Sequence, residues 1–185
     1  MNRQLCCFAV LSCFLLAAFA PVAQADLLFD ATLLGSNEVP PNASPAFGFI
    51  TVDLHADMIT LDVMETFSGL VAAASAAHIH CCAPAGTNAP VALPFLAAEG
   101  FPSGSTSGTF NHTFNLTTDL SGITAAAFVA GLETGNTYAN IHDSVFPGGE
   151  IRGQLAAVPE PNTFVVLAGC LLALGLLRRV RKQTE

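Results

Sequence analysis

Positive charge is nearly missing from the body of this sequence. Of its six Lys and Arg, five sit at the ends (Arg3, Arg178, Arg179, Arg181 and Lys182), which leaves Arg152 alone between residues 26 and 161. Thirteen of the fourteen acids share that window, giving it a formal charge of −12. Such a surface repels polyanions, which excludes nucleic acid as a partner, and it suits solubility or the attraction of cations. Cysteine is scarce as well. Cys6, Cys7 and Cys13 lie near the N-terminus and Cys170 in a C-terminal apolar run, so the middle of the chain holds only Cys81 and Cys82. That excludes a disulfide framework, and about 130 residues can form a hydrophobic core without one. Catalytic signatures are missing too: there is no Gly-x-Ser-x-Gly elbow, no phosphate loop and no His-Glu-x-x-His. His142-Asp143-Ser144 holds three triad residue types, but consecutive side chains diverge and cannot form a relay, so the tripeptide reads as a turn. No catalytic residue is assigned and the chain is read as a non-enzyme.

The ends of the chain are apolar. Asn2-Arg3 is a short basic start, Leu5 to Phe19 is apolar except for Ser12, and Pro21 precedes Ala23-Gln24-Ala25. Small residues at Ala23 and Ala25 fit a signal-peptidase cut after Ala25, so residues 1–25 are read as a secretory signal helix. At the other end, Val158-Pro159-Glu160-Pro161 precedes an apolar stretch from Thr163 to Leu177 and then Arg178-Arg179-Val180-Arg181-Lys182. As a helix, 163–177 would be about 22 Å long, short against a hydrocarbon core of about 30 Å. Nothing downstream could pack against it, and the cationic end 178–182 suits the cytoplasmic side of an inner-membrane transmembrane helix. Snorkelling arginines and local thinning of the bilayer cover the missing length. Both ends therefore place residues 26–157 outside the cytoplasm.

Within 26–157, turn residues separate short alternating segments. Phe29, Ala31 and Leu33 alternate in Leu27 to Leu34, and a loop rich in Pro, Asn and Ser runs from Gly35 to Pro45. Gly48, Ile50, Val52 and Leu54 then alternate with Phe47, Phe49, Thr51 and Asp53. A short turn at His55-Ala56-Asp57 leads to Ile59, Leu61 and Val63, which predicts a hairpin. Phe110, His112, Phe114 and Leu116 alternate with Thr109, Asn111, Thr113 and Asn115 as a half-buried strand. Thr137 to Ile141 and Glu150 to Leu155 form a last pair around Phe146-Pro147-Gly148-Gly149. Ile123 to Leu132 reads as a short helix, and Cys81 to Ser107 as a long loop. This pattern predicts an all-β, antiparallel sandwich or barrel of about seven to eight strands.

His78-Ile79-His80 is the most suggestive local feature. On a strand both imidazoles point to one face and Ile79 to the other. Asn140-Ile141-His142 repeats the arrangement, so neighbouring strands would bring His78, His80 and His142 together in a set suited to zinc or copper. The competing reading is that the rings hydrogen-bond loop backbones at the sheet's edge. Cys81-Cys82 follows directly, and three states are open: a vicinal disulfide, soft-metal ligation beside His78 and His80, or two thiols of which one is buried. His55 and His112 read as packing or surface positions. Arg152, in Glu150-Ile151-Arg152-Gly153, is expected to form a structural ion pair with a carboxylate, Glu150 being the candidate, and to orient a loop.

Two resemblances follow from these residues. The tail, with Pro159-Glu160-Pro161, the short span and the basic end, resembles the PEP-CTERM sorting signal of Gram-negative bacteria that make exopolysaccharide. It implies an exosortase that recognises residues 158–185 and cuts near the motif. The blocks Phe29-x-Ala31-x-Leu33-x-Gly35-x-Asn37-Glu38-Val39-Pro40-Pro41, Ala77-His78-Ile79-His80, Tyr138-x-Asn140-Ile141-His142 and Pro147-x-Gly149-Glu150-Ile151-Arg152-Gly153-Gln154-Leu155 occur in order. Together they resemble the CHRD domain over residues 27 to 156, which implies an immunoglobulin-like β-sandwich and carries over no catalytic residues. Cys81-Cys82 stands where many members have small residues. The resulting expectation is an exported, non-enzymatic binding or structural module. It would be handled by the secretion machinery, signal peptidase and an exosortase, and left at the cell surface or outside, where exopolysaccharide is a candidate partner. The alternative is a zinc- or copper-binding, redox-active envelope protein using His78, His80, Cys81, Cys82 and His142.

Overall fold

The computed structural model describes residues 25–159 and 169–174. Nine strands form the body: β1 Leu27–Leu34, β2 Phe47–Leu54, β3 Thr60–Ser68, β4 Ala74–Cys81, β5 Val91–Phe95, β6 Gly108–Asn115, β7 Thr137–Asp143, β8 Ile151–Gln154 and β9 Ala156–Ala157. Helix α1 spans Ala125–Glu133, and short 3-10 turns cover Gly35–Asn37 and Ala97–Glu99. Alternation explains the strands. In β2, Gly48, Ile50, Val52 and Leu54 are buried, while Phe47 and Phe49 face out. The β2–β3 hairpin turns at 55–59, where the Asp57 carboxylate accepts from the Ile59 and Thr60 N–H groups and the Thr60 hydroxyl.

The strands form one antiparallel sheet in the order β5-β4-β7-β8-β1-β2-β3-β6, with β9 beside β1. An immunoglobulin-like sandwich would divide them between two facing sheets. Instead one hydrogen-bonded sheet curls into a half-barrel, and its inner face folds over a single core. The curl brings the edge strands β5 and β6 together through side chains. Phe95 on β5 lies 4.9 Å from Phe110 and 5.7 Å from Phe114 on β6, centroid to centroid. The loop 96–107 adds Phe101, stacked on Phe67 at 5.9 Å, and its Gly104 N–H donates to Ala74 O. Burying such aromatic side chains is a large part of what holds the curl.

The stretch 81–107 is not one continuous loop, because β5 lies inside it. Pro94 disguises this strand in the sequence. A proline cannot donate to a ladder, yet it is tolerated on an edge strand, which is where β5 sits. Helix α1 starts at Thr124, whose side chain accepts from Ala127 N–H, and it buries Phe128, Val129 and Leu132 against the core.

One acid lies inside. Leu61, Val63, Glu65 and Phe67 share the inner face of β3, and Glu65 is 0% exposed with both carboxyl oxygens unpartnered. Burial alone pushes its pKa from an ordinary 4.5 to about 8. The folded state thus binds a proton that the unfolded chain has released. Relative stability is full below pH 4.5 and is lost as the pH rises toward 8. Replacing Glu65 with Met, similar in shape and unable to ionise, should stabilise the protein. Its advantage in urea unfolding should grow by roughly 1 kcal/mol per pH unit between pH 5 and 8. A gain that is flat across that range would count against an uncompensated core carboxyl.

Candidate metal centre

Strands β7 and β8 break the alternation that explains the others. Every residue of β7 except His142 is buried, as are Ile151, Arg152 and Gly153 of β8. Their inner side chains, such as Ala139, Ile141 and Ile151, join the apolar core. Their outer side chains are polar and lie under the segments 35–46, 82–90 and 144–150. Register places those outer side chains in rows. His78, Asn140 and Arg152 face one another across β4, β7 and β8, and His80, Tyr138 and Gln154 form the next row. His142 lies opposite Ala76.

Because β4 and β7 are neighbours, the three imidazoles converge. His78, His80 and His142 each offer a ring nitrogen, and these nitrogens lie within 4.8 Å of one another. His80 Nδ1 is 2.8 Å from Ala89 O, and His142 Nδ1 is 3.0 Å from Pro147 O. A carbonyl only accepts, so each Nδ1 carries the proton and donates it. Burial pulls all three histidines below the usual imidazole range, His78 to about 4. The rings are therefore neutral at pH 7, with an Nε2 lone pair on His80 and on His142. Both lone pairs face Asn140 Oδ1, at 3.0 and 3.1 Å, and His78 Nδ1 is buried without a partner. His80 Nε2, His142 Nε2 and Asn140 Oδ1 are three acceptors turned toward one another, an arrangement that a cation resolves. The loop-backbone hydrogen bonds of the competing reading also exist, but they occupy Nδ1 and leave Nε2 to the cluster.

The cover over this face is pinned by Arg152. It is 2% exposed, donates to Thr87 O at 2.6 Å and Asn88 Oδ1 at 2.8 Å, and lays its guanidinium 3.3 Å from the Tyr138 ring centroid. The same Tyr138 ring stacks on His80, centroids 4.6 Å apart and planes 5° from parallel. Asn88 Nδ2 then donates to Val39 O, which holds the Glu38–Pro41 segment in place. The expected Glu150–Arg152 ion pair does not form. Glu150 precedes β8, and its Oε1 accepts from the Ser44 hydroxyl at 2.6 Å and the Val71 N–H at 2.9 Å, while Arg152 leans the other way over Tyr138. The only ion pair among the described residues is His55–Asp62 on the surface, and its hydrogen bond raises the His55 pKa.

Glu38 is the carboxyl that feels the Arg152 charge. Burial pushes its pKa to about 7 against the pull of Arg152, the Val39 N–H and the Asn140 amide. Clefts of about 240 and 420 Å³ flank the Glu38–Pro41 segment, and neither opens onto the imidazoles. In the sequence, 35–45 reads as a plain loop with no role for Glu38, although Asn37-Glu38-Val39-Pro40-Pro41 is among the blocks that carry the resemblance.

Cys81 and Cys82 stand apart from the imidazole group. They are joined in a vicinal disulfide, and Cys81 alternates with His80 to face the core. Both sulfurs lie against Gly131 of α1, where even a Cβ would collide with them. The disulfide occupies both sulfurs on the far side of the strand, so soft-metal ligation beside His78 and His80 is not what this pair does. His112 packs between Phe110 and Phe114. Of the terminal assignments, Ala25 and Pro159 are described. Ala23, Glu160, Pro161, the basic end 178–182 and nearly all of the signal segment lie outside the described residues. Of the expected span 163–177, residues 169–174 are described and are helical at 169–174. No helix among the described residues is long and apolar enough to cross a membrane.

A curled antiparallel half-barrel with a polar, histidine-bearing outer layer defines the class: a mostly β module. Residues 29–155 match the family model of the CHRD domain, and the chain belongs to that family, whose members are typical of extracellular and secreted proteins. No curated protein and no solved structure matches the chain.

Arg152→Lys keeps the charge and loses the planar fork and the ring contact. It should cost about 2–4 kcal/mol in urea unfolding, since charged hydrogen bonds contribute about 1.5–3 kcal/mol each. A loss below about 0.5 kcal/mol would show that the cover stands without it.

Proposed function

We propose that this chain is an exported, non-enzymatic cell-envelope module of the CHRD family that holds a zinc or copper ion on His78, His80 and His142. The observation that carries the reading is the convergence of three neutral imidazoles whose donor atoms lie within 4.8 Å. Two of these rings have their Nδ1 protons fixed by backbone carbonyls, which is the outer-sphere support that metal-binding histidines use. Three imidazoles suit zinc and copper(II) better than calcium or magnesium, which favour oxygen. The bound ion would tie β4 to β7 and hold the cover closed.

Export and sorting complete the proposal. Ala23 and Ala25 support cleavage by signal peptidase, and Pro159-Glu160-Pro161 with the apolar and basic tail supports inner-membrane anchoring followed by exosortase processing. The module would then remain at the surface or in the extracellular matrix, where exopolysaccharide is the candidate partner.

Elemental analysis of the purified full-length chain should find zinc or copper near one ion per chain. The double variant His78→Ala/His80→Ala should contain none. At a free-metal concentration about 100 times Kd, binding stabilises the fold by about 2.7 kcal/mol, so the parent Tm should rise by several degrees. Metal-free protein whose Tm ignores both ions would end the metal reading. For sorting, a strain without the exosortase should retain the protein in the membrane with its tail attached, and normal release there would remove the sorting assignment.

A further inference from the structure

Asn140 and Glu38 are buried at the same site, and neither has been given a task by the three-histidine reading. Asn140 is 2% exposed and Glu38 4%. We infer that the Asn140 side-chain oxygen is the fourth ligand of the ion, and that Glu38 positions it. This inference rests on the metal reading above.

Asn140 Oδ1 lies 3.0 Å from His80 Nε2 and 3.1 Å from His142 Nε2. Neither contact works as an ordinary hydrogen bond. Both ring protons are committed to Ala89 O and Pro147 O, so two lone pairs face a third. Ligands at about 2.0–2.1 Å around a tetrahedral ion are separated by about 3.3 Å. The two Oδ1–Nε2 distances are already close to two edges of that tetrahedron. His78 supplies the remaining corner, with ring centroids 5.1 Å from His142 and 5.5 Å from His80.

The other end of the amide lies on the Glu38 side. Gly149 packs against both residues, so that a Cβ there would collide with Glu38 Oε1 and lie 2.8 Å from Asn140 Nδ2. With its Nδ2 side turned to Glu38, the amide directs its oxygen at the histidines. Glu38 also places a carboxyl just outside a set of three imidazoles and one amide, the kind of outer-shell group that supports a bound cation. The four positions are filled by protein side chains under a cover, so the ion has no open position for substrate and serves structure.

The test uses the full-length protein stripped of metal and titrated with Zn²⁺ or Co²⁺ alone. Asn140→Ala should weaken zinc binding 10- to 100-fold and shift the visible bands of the Co²⁺ form, because water replaces the amide. Asn140→Asp, which restores an oxygen donor, should recover affinity to within a few-fold of the parent. Glu38→Gln should weaken zinc binding several-fold and alter the Co²⁺ spectrum, which a merely structural role would not do. If Asn140→Ala does not fold, judged by near-UV circular dichroism, the Asp and Gln variants decide alone. Parent-like affinity and an unchanged Co²⁺ spectrum in Asn140→Ala would overturn the ligand assignment and leave the three-histidine site standing. So would an Asn140→Asp variant that folds but does not recover binding. A parent that binds neither ion would remove both readings together.

Discussion

Arg152 lies beneath loops of Pro, Asn, Ala and Gly that have little apolar surface with which to hold themselves down. Taking a guanidinium out of water is costly unless its donors are satisfied, and here one fork reaches Thr87 and Asn88 while the Tyr138 ring covers the flat face. Much of the outer layer follows from that placement. Thr87 and Asn88 fix the loop that brings Ala89 O to His80 Nδ1, and so Arg152 indirectly selects which ring nitrogen of His80 keeps a free lone pair. Asn88 also anchors Val39, next to Glu38. The one cation of an acidic domain thus organises a site that is itself free of fixed positive charge.

The sheet has two buried faces with opposite chemistry. The concave face is apolar and is closed by phenylalanines that meet across the two free edges. The convex face of β4, β7 and β8 is polar and is closed by side-chain hydrogen bonds to loop backbones. Acids show the contrast. Glu150 is held among Ser44 and Val71 at the end of the convex layer, whereas Glu65 sits among hydrocarbon with nothing to bond. Identical side-chain chemistry meets different fates because strand parity sends one outward and the other inward.

Local periodicity made much of the fold legible. Leu27–Leu34 and Phe47–Leu54 have the bounds their alternation indicates, because one face of each meets the core and the other meets water. β5 escaped because Pro94 argues against a strand unless its edge position is known. The convex layer was only half legible: His-x-His and Asn-Ile-His announce a shared face, but not the loops that cover it. Glu150 and Arg152 were paired on proximity in sequence, yet a turn at Gly149 and the pull of Tyr138 send them apart. Asn140 and Glu38 stand inside recognisable blocks, but nothing local tells a buried amide or a loop acid at a site from any other. The four sequence blocks that carried the resemblance are distant along the chain. Three-dimensional folding brings residues from all four to this one face.

The two free edges of the half-barrel invite a different hazard, because an unpaired strand edge can template the strand of a neighbouring molecule. On β5 the strand is only five residues long and includes Pro94, which removes one rung from any ladder another chain could build there. β6 is longer, but its rim is held close to β5 by contacts of Phe95 with Phe110 and Phe114, and its solvent-facing residues are Thr and Asn rather than apolar groups. A protein crowded with its own copies would gain from both features, which discourage sheet-to-sheet polymerisation without a closed barrel.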